Sequence, residues 1–294
     1  MKIKIILDSC AGLDEKQAEE YGWTLLPLQA NINGKNYFIG KELNCLQFAE
    51  IWNQNPKLCN ASTSACSPGM VMEMVEKFSK EYDKIIIYSI SVKLSSQIQL
   101  LKNLFAGNDK VFIVESKKLS YLIIYDLVQF ENKIKAGTSF EEACKVFDYI
   151  PQKTLLIPEF NDALVKGGRL SKSAAAIAKL LKIVPIIEFD KEGALVKYGI
   201  GRIFKKTLLN QIKKLKEMYE PLSDNSYLFL LHAAQEKIDD IANEIKTTLN
   251  IDNVYSMLLA PDIAIHTGVG AIAFGIHNLS AETKDQMLKF FKKH

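Results

Sequence analysis

Three short runs in the first half of the chain are apolar at nearly every position instead of at alternate ones: Lys2 to Leu7, Lys84 to Tyr88 (KIIIY) and Lys110 to Val114 (KVFIV). Such runs predict strands buried on both faces, the habit of a parallel sheet covered by helices. Between the second and third runs Leu94, Ile98, Leu101 and Phe105 recur at helical spacing, and Phe140, Ala143 and Phe147 do so further on. Strand and helix thus alternate, which predicts a parallel α/β domain over residues 1–150. Residues 23–60 break the rhythm. There Asn33-Gly34-Lys35-Asn36 lies between two strand-like segments and predicts a hairpin within a small antiparallel excursion.

The pattern changes after Pro151, and residues 151–294 read as an α+β domain. Leu155 to Ile157 is a strand candidate, Gly167-Gly168 an interruption, and Ser173 to Leu181 an alanine-rich helix. Ile183 to Phe189 and Ala194 to Ile200 form a predicted hairpin joined through Lys191-Glu192-Gly193. Tyr227 to Leu231 and Val254 to Leu259 are further strands, with a helix from Gln235 between them and a glycine-rich segment after.

Composition narrows the class. A chain of 294 residues with 48% hydrophobic content can bury a large core, which excludes a disordered protein. The net charge of +3 comes from lysines scattered among acids, without the basic tracts of a nucleic-acid arm. The five cysteines form no C-x-x-C pair, so a reducing compartment is expected. Ile5 to Leu7 is too short for the apolar region of a secretory signal, and no stretch of 18 apolar residues exists to span a membrane. The chain is therefore expected to be cytoplasmic, with transient contact at a membrane surface left open.

The candidate chemistry lies where strands end. In a doubly wound sheet the carboxyl ends of the strands and the following helix starts share one edge, and ligands bind there. Asp8-Ser9, Ser89-Ile90-Ser91 with Ser95, and Glu115-Ser116 stand at those ends; Ala61-Ser62-Thr63-Ser64 precedes Ser67-Pro68, a predicted helix start. Hydroxyls and helix N-termini meeting in one crevice suit a carboxylate or phosphate. Taken singly, each Ser or Thr is better explained as a helix cap; their repetition at successive strand ends puts the two readings level for the set. In the second region Lys166-Gly167-Gly168-Arg169 offers a guanidinium after two glycines, or else a plain helix C-cap. His266-Thr267-Gly268-Val269-Gly270 places a histidine before a glycine turn, where a structural role is the simpler reading.

Other signatures fail on their spacing. Gly268, Gly270 and Ala273 match a dinucleotide pattern, but too little chain follows for a βαβ unit. Gly34 to Lys41 is not a P-loop, having Glu42 where a magnesium-binding hydroxyl belongs. No G-x-S-x-G elbow occurs, and His232, His266, His277 and His294 lack zinc-site spacing.

Taken in order, five segments resemble the DegV family, whose members bind fatty acids and include the acyl-carrier component of bacterial fatty acid kinase. Leu7-Asp8-Ser9 resembles the family's opening strand, Thr63-Ser64-Ala65-Cys66-Ser67-Pro68 its T-S-x-P-S-P, and Ile90-Ser91-Val92-Lys93-Leu94-Ser95 its I-S-S-x-L-S. Gly167-Gly168-Arg169-Leu170-Ser171 and His266-Thr267-Gly268-Val269-Gly270 resemble G-G-R-I-S and H-x-G-P-G. The resemblance implies that Thr63 and Ser95 hydrogen-bond a ligand carboxylate beside His266, with Ser64, Thr267 and Gly268 in the same ligand-binding set. It places Arg169 at the pocket mouth and, on a looser match, Arg202 at a docking surface for a kinase. The chain departs from the family at Ser96 and Gln97 (glycine and threonine), Cys66 and Val269 (prolines) and Glu115 (aspartate).

The expected protein is thus a two-domain α/β carrier with a long-chain fatty acid at the domain interface. It would present the ligand to a fatty acid kinase, with no cofactor, metal or catalytic residue of its own and no nucleic-acid partner. Two alternatives stay open: a serine-dependent esterase or acyltransferase using Ser95 with His266, and a binder of another anionic metabolite.

Overall fold

The opening strand β1 (Ile3–Asp8) is buried on both faces from Ile5 onward, and β2 (Thr24–Leu26) lies parallel beside it. The chain then leaves the sheet for β3 (Gln29–Ile32), β4 (Lys35–Phe38) and β5 (Ala61–Ser64), and returns with β6 (Lys84–Tyr88) and β7 (Val111–Ile113). The resulting four-stranded parallel sheet has the order β2-β1-β6-β7. The three-stranded antiparallel sheet has the order β4-β3-β5. Its hairpin turns at Asn33 and Gly34, with φ of 52° and 87°, the left-handed pair that a two-residue connection requires. As sheets, therefore, residues 24–26 belong to the parallel layer, and the excursion runs from Gln29 to Ser64. The hydroxyl run Ala61–Ser64 is itself a strand, because the open edge of β3 pairs it, Ala30 opposite Thr63.

The computed structural model describes residues 1–148, 153–178 and 183–294. The expected boundary at 150 and 151, and the last residues of the expected helix up to Leu181, lie outside them. The helix Pro68–Phe78 starts where Ser67-Pro68 predicts, although the Ser67 hydroxyl makes no capping bond. The helix Tyr121–Lys135 has no sequence signal of one apolar stripe, because Tyr121 to Ile124 and Leu127, Val128 and Phe130 are buried around most of its girth.

Beyond residue 153 the chain builds β8 (Thr154–Ile157), β9 (Val184–Phe189), β10 (Leu195–Gly201), β11 (Ser226–His232), β12 (Val254–Leu258), β13 (Ile272–Asn278) and β14 (Lys292–Lys293). They form one seven-stranded mixed sheet, β10-β9-β8-β13-β11-β12-β14, in which only β11 and β12 are parallel neighbours. Alternate residues face opposite sides. Leu228, Leu230, Ile272 and Phe274 pack on the helices Phe204–Tyr219 and Ile238–Leu249. Phe229, Leu231, Ala271 and Ala273 join the core of the first domain. The inward face of β13 thus carries small side chains where its neighbours carry large ones, and a hollow remains between the domains. Two contacts pin the hairpin of β9 and β10 against the first domain: the Ser91 hydroxyl donates to the Gly193 carbonyl at 2.8 Å, and Lys117 pairs with Glu192 at 2.9 Å. Among the described residues no helix is long and apolar enough to cross a membrane.

Candidate functional site

The hollow has a volume of about 480 Å³, within the range of small-molecule sites. Its walls are aliphatic, from Leu28, Ile90, Leu119, Leu122, Leu156 and Leu231 among others. Thr63, Ser64, Ser95, Arg169, His266 and Thr267 line the same space, so six of the eight residues singled out in the sequence converge on it. Gly268 and Arg202 do not line it. Gly268, at φ 88°, ends the helix Pro261–Thr267, and a Cβ there would press to 3.3 Å on Ala163 and on the Phe160 carbonyl. Arg202 stands exposed just past β10.

Each polar group is held by a different element. Thr63 sits on β5, against which the helix Pro261–Thr267 packs, and its Oγ1 lies 2.7 Å from His266 Nε2. Ser95 sits in the turn before the helix Gln97–Leu104, where its Oγ accepts from the Gln97 N–H at 3.1 Å and keeps its own proton to donate. Burial, and then the Arg169 charge, push the His266 imidazole down to about 4, so it is neutral at pH 7. Arg169 stays at the rim, donating to the Gly167 carbonyl at 2.5 Å. The glycine pair serves both readings of its sequence. Gly168, at φ 66°, is the helix C-cap, while a Cβ on Gly167 would stand 2.9 Å from His266 Nδ1. Only glycine at 167 lets the imidazole lie where it does.

Asp262 is a cavity residue that sequence reasoning missed. It is one helical turn before His266, so both face the hollow. Burial, then the neighbouring Asp8 carboxylate, push Asp262 up to about 7. Its Oδ2 accepts from the Ser9 hydroxyl at 3.2 Å. Asp8 does not reach the cavity: its oxygens accept from the Cys10 and Ile90 N–H groups at 3.2 and 2.9 Å, which joins the ends of β1 and β6. Ser91 and Ser116 also brace loops, the latter donating to the Lys118 carbonyl at 3.2 Å.

A protein-family model described as "Uncharacterised protein, DegV family" matches residues 2–278. The chain belongs to the DegV family. A DegV domain-containing protein of Mycoplasmopsis pulmonis is 41% identical over 297 aligned positions, covering 99% of this chain and 100% of that one. One from Clostridium acetobutylicum is 31% identical, covering 81% and 85%. The fold matches the fatty acid binding DegV family protein of Streptococcus agalactiae with a TM-score of 0.79 at 25% identity, over 95% of this chain and 100% of that one. It matches DegV, a fatty acid binding protein from Bacillus subtilis, with a TM-score of 0.80 at 23% identity and the same coverage. In this DegV chain the buried Cys66 N–H donates at 3.0 Å to the Gln97 side-chain carbonyl, which ties the loop before the helix Pro68–Phe78 to the start of the helix Gln97–Leu104. A buried amide without that acceptor would cost free energy.

Proposed function

We propose that this protein binds a long-chain fatty acid, its carboxylate at the Thr63–Ser95–His266 cluster and its acyl chain in the aliphatic hollow, and presents it to a fatty acid kinase. The observation that carries the reading is one cavity that Thr63, Ser95 and His266 line together with a largely aliphatic wall. Neutral donors suit a carboxylate that arrives with its own charge. Burying roughly ten methylenes contributes on the order of 8 kcal/mol before ordering costs, so the tail supplies most of the affinity and the donors fix its direction. The Streptococcus agalactiae and Bacillus subtilis relatives, described as fatty acid binding, support the same assignment.

The site's hydrogen bonding favours holding a ligand over attacking one. An activated serine needs a base within hydrogen-bond reach. Here His266 Nε2 is engaged by Thr63, and among the described residues no hydrogen bond joins Ser95 to His266. A carboxylate held at the rim near Arg169 would be open to a kinase, which would supply the phosphoryl-transfer chemistry. Arg202, exposed outside the cavity, would serve its docking.

Denaturing mass spectrometry of the purified protein tests the reading. A co-purified acyl chain is expected, together with phosphorylation of added fatty acid when a fatty acid kinase and ATP are supplied. Absence of any acyl chain, with no thermal shift on adding fatty acids, would overturn it.

A further inference from the structure

We propose that Tyr121 is the rigid floor of the acyl cavity, the side chain that sets the longest chain the protein holds. The inference rests on the fatty-acid reading above and assigns the selectivity of that site.

Tyr121 lines the same hollow as His266 but at its other end. The strand β8 runs from Thr154 toward Ile157, and the chain beyond it reaches Phe160, whose carbonyl abuts the end of the His266 helix. Thr154, which also lines the cavity, is therefore far from the head-group donors by most of a strand, roughly 10 Å. Gly275 of β13 pairs with Thr154, and a Cβ on Gly275 would lie 3.1 Å from both the Tyr121 hydroxyl and His277 Nε2. The phenol thus rests on the far end of the sheet, over a position that has to be glycine to admit it. Ala273 precedes it on the same face and leaves open space in front of the ring.

Tyr121 is fixed from several directions. Its hydroxyl is hydrogen-bonded to Nε2 of His277, a buried imidazole that burial pushes down to about 3 and so keeps neutral. Its ring stacks on Phe229 at 4.9 Å and meets His277 edge-on at 5.2 Å. The backbone just before it is strained: Ser120 has φ 55° and ψ −142°, a conformation that residues with a Cβ rarely adopt. The Ser120 N–H donates to the Cys10 carbonyl at 3.1 Å, while its buried hydroxyl finds no hydrogen-bond partner among the described residues. Strain and an orphaned polar group at one residue persist only where the surroundings over-determine the geometry. What they fix here is the start of the helix Tyr121–Lys135, and with it the direction of the Tyr121 ring. A floor held in this way acts as a hard stop and does not yield to a longer tail.

The test is a chain-length series on delipidated protein. Affinity for saturated acids should rise roughly tenfold per two added carbons until the tail meets the floor, and fall beyond it. Replacing the polar pair by an apolar one, Tyr121→Leu with His277→Leu, should move that turning point to longer acids. Ala273→Leu, which fills the space in front of the ring without touching the pair, should move it to shorter ones. An unchanged turning point in either folded variant overturns the inference. If the unaltered protein binds no fatty acid of any length, the fatty-acid reading itself fails, a result distinct from an unmoved turning point.

Discussion

Two hollows of nearly equal size flank the segment Leu259–Asp262, about 480 Å³ on the His266 side and about 500 Å³ on the other. The second is lined by Asp14, Asn44, His232, Ser256 and Lys292 among others, so both hollows carry polar groups. Those groups serve the chain itself. Asp14 and Asn44 accept from the Gln17 and Gln47 N–H groups at helix starts, and His232 Nδ1 accepts from the Gln235 N–H at 3.1 Å. Ser256 lies 2.7 Å from His294 Nε2, and Lys292 pairs with Asp239 at 2.6 Å. In the first hollow Thr63, Ser95 and a neutral His266 come from both domains and face a largely aliphatic wall, with Arg169 at the rim. Polar content and volume thus do not mark the site. A small convergent donor set facing apolar space does.

The sharpest way to break this contrast is to remove the donors on one side only. Thr63→Val combined with Ser95→Ala should weaken fatty-acid binding by about a hundredfold, since each removes a hydrogen bond to a charged group. Ser256→Ala, in the other hollow, should leave binding unchanged by calorimetry. Equal losses in both would erase the distinction.

Asp262 tests the first hollow's electrostatics. Its value in the fold, about 7, lies above the ordinary 3.8, so the ionised form is the costly one. The penalty is absent below the ordinary value, grows as pH rises, and is complete above the raised one. Asp262→Asn keeps an acceptor for the Ile263 N–H and removes the charge. It should stabilise the protein at pH 8 by on the order of 2 kcal/mol in denaturant unfolding and flatten the pH dependence across that window. A variant less stable at pH 8 and equally pH-dependent would refute the assignment.

Gly167→Ala should displace His266, because the added carbon would stand 2.9 Å from Nδ1. Ligand affinity should fall about tenfold, and a His266 imidazole resonance unmoved by the change would contradict the packing argument. The smallest effect is expected at the surface. Lys117→Ala breaks an exposed ion pair with Glu192 and should change stability by no more than about 0.5 kcal/mol, with no change in binding.

The contrast also shows what a sequence can carry. Buried strands such as Lys84–Tyr88 and the Asn33-Gly34 turn announce themselves, because their signals are local: an unbroken apolar run and a pair of residues tolerant of positive φ. Thr63, Ser95, Arg169 and His266 were legible as family motifs; only Ser95 follows a strand of the parallel sheet, and the convergence of the others depends on how the second domain packs on the first. The helix Tyr121–Lys135 was not, since burial on most sides removes the periodic stripe. Asp262, Ala273 and Tyr121 were invisible for a related reason. An aspartate, an alanine and a tyrosine acquire their roles only from which face of which sheet they meet, and that is decided by residues more than a hundred positions away. The strand Ile272–Asn278 shares this fate, its inward Ala273 and Gly275 following on a glycine-rich segment that hides it.

The central claim is most directly tested by calorimetric titration of the delipidated protein with a saturated long-chain acid, its alcohol of equal length, and acetate. Tight binding of the acid with a negative heat-capacity change, weaker binding of the alcohol and none of acetate are the predicted results. Acetate binding as tightly as the long acid, or a long acid that does not bind at all, would contradict the account.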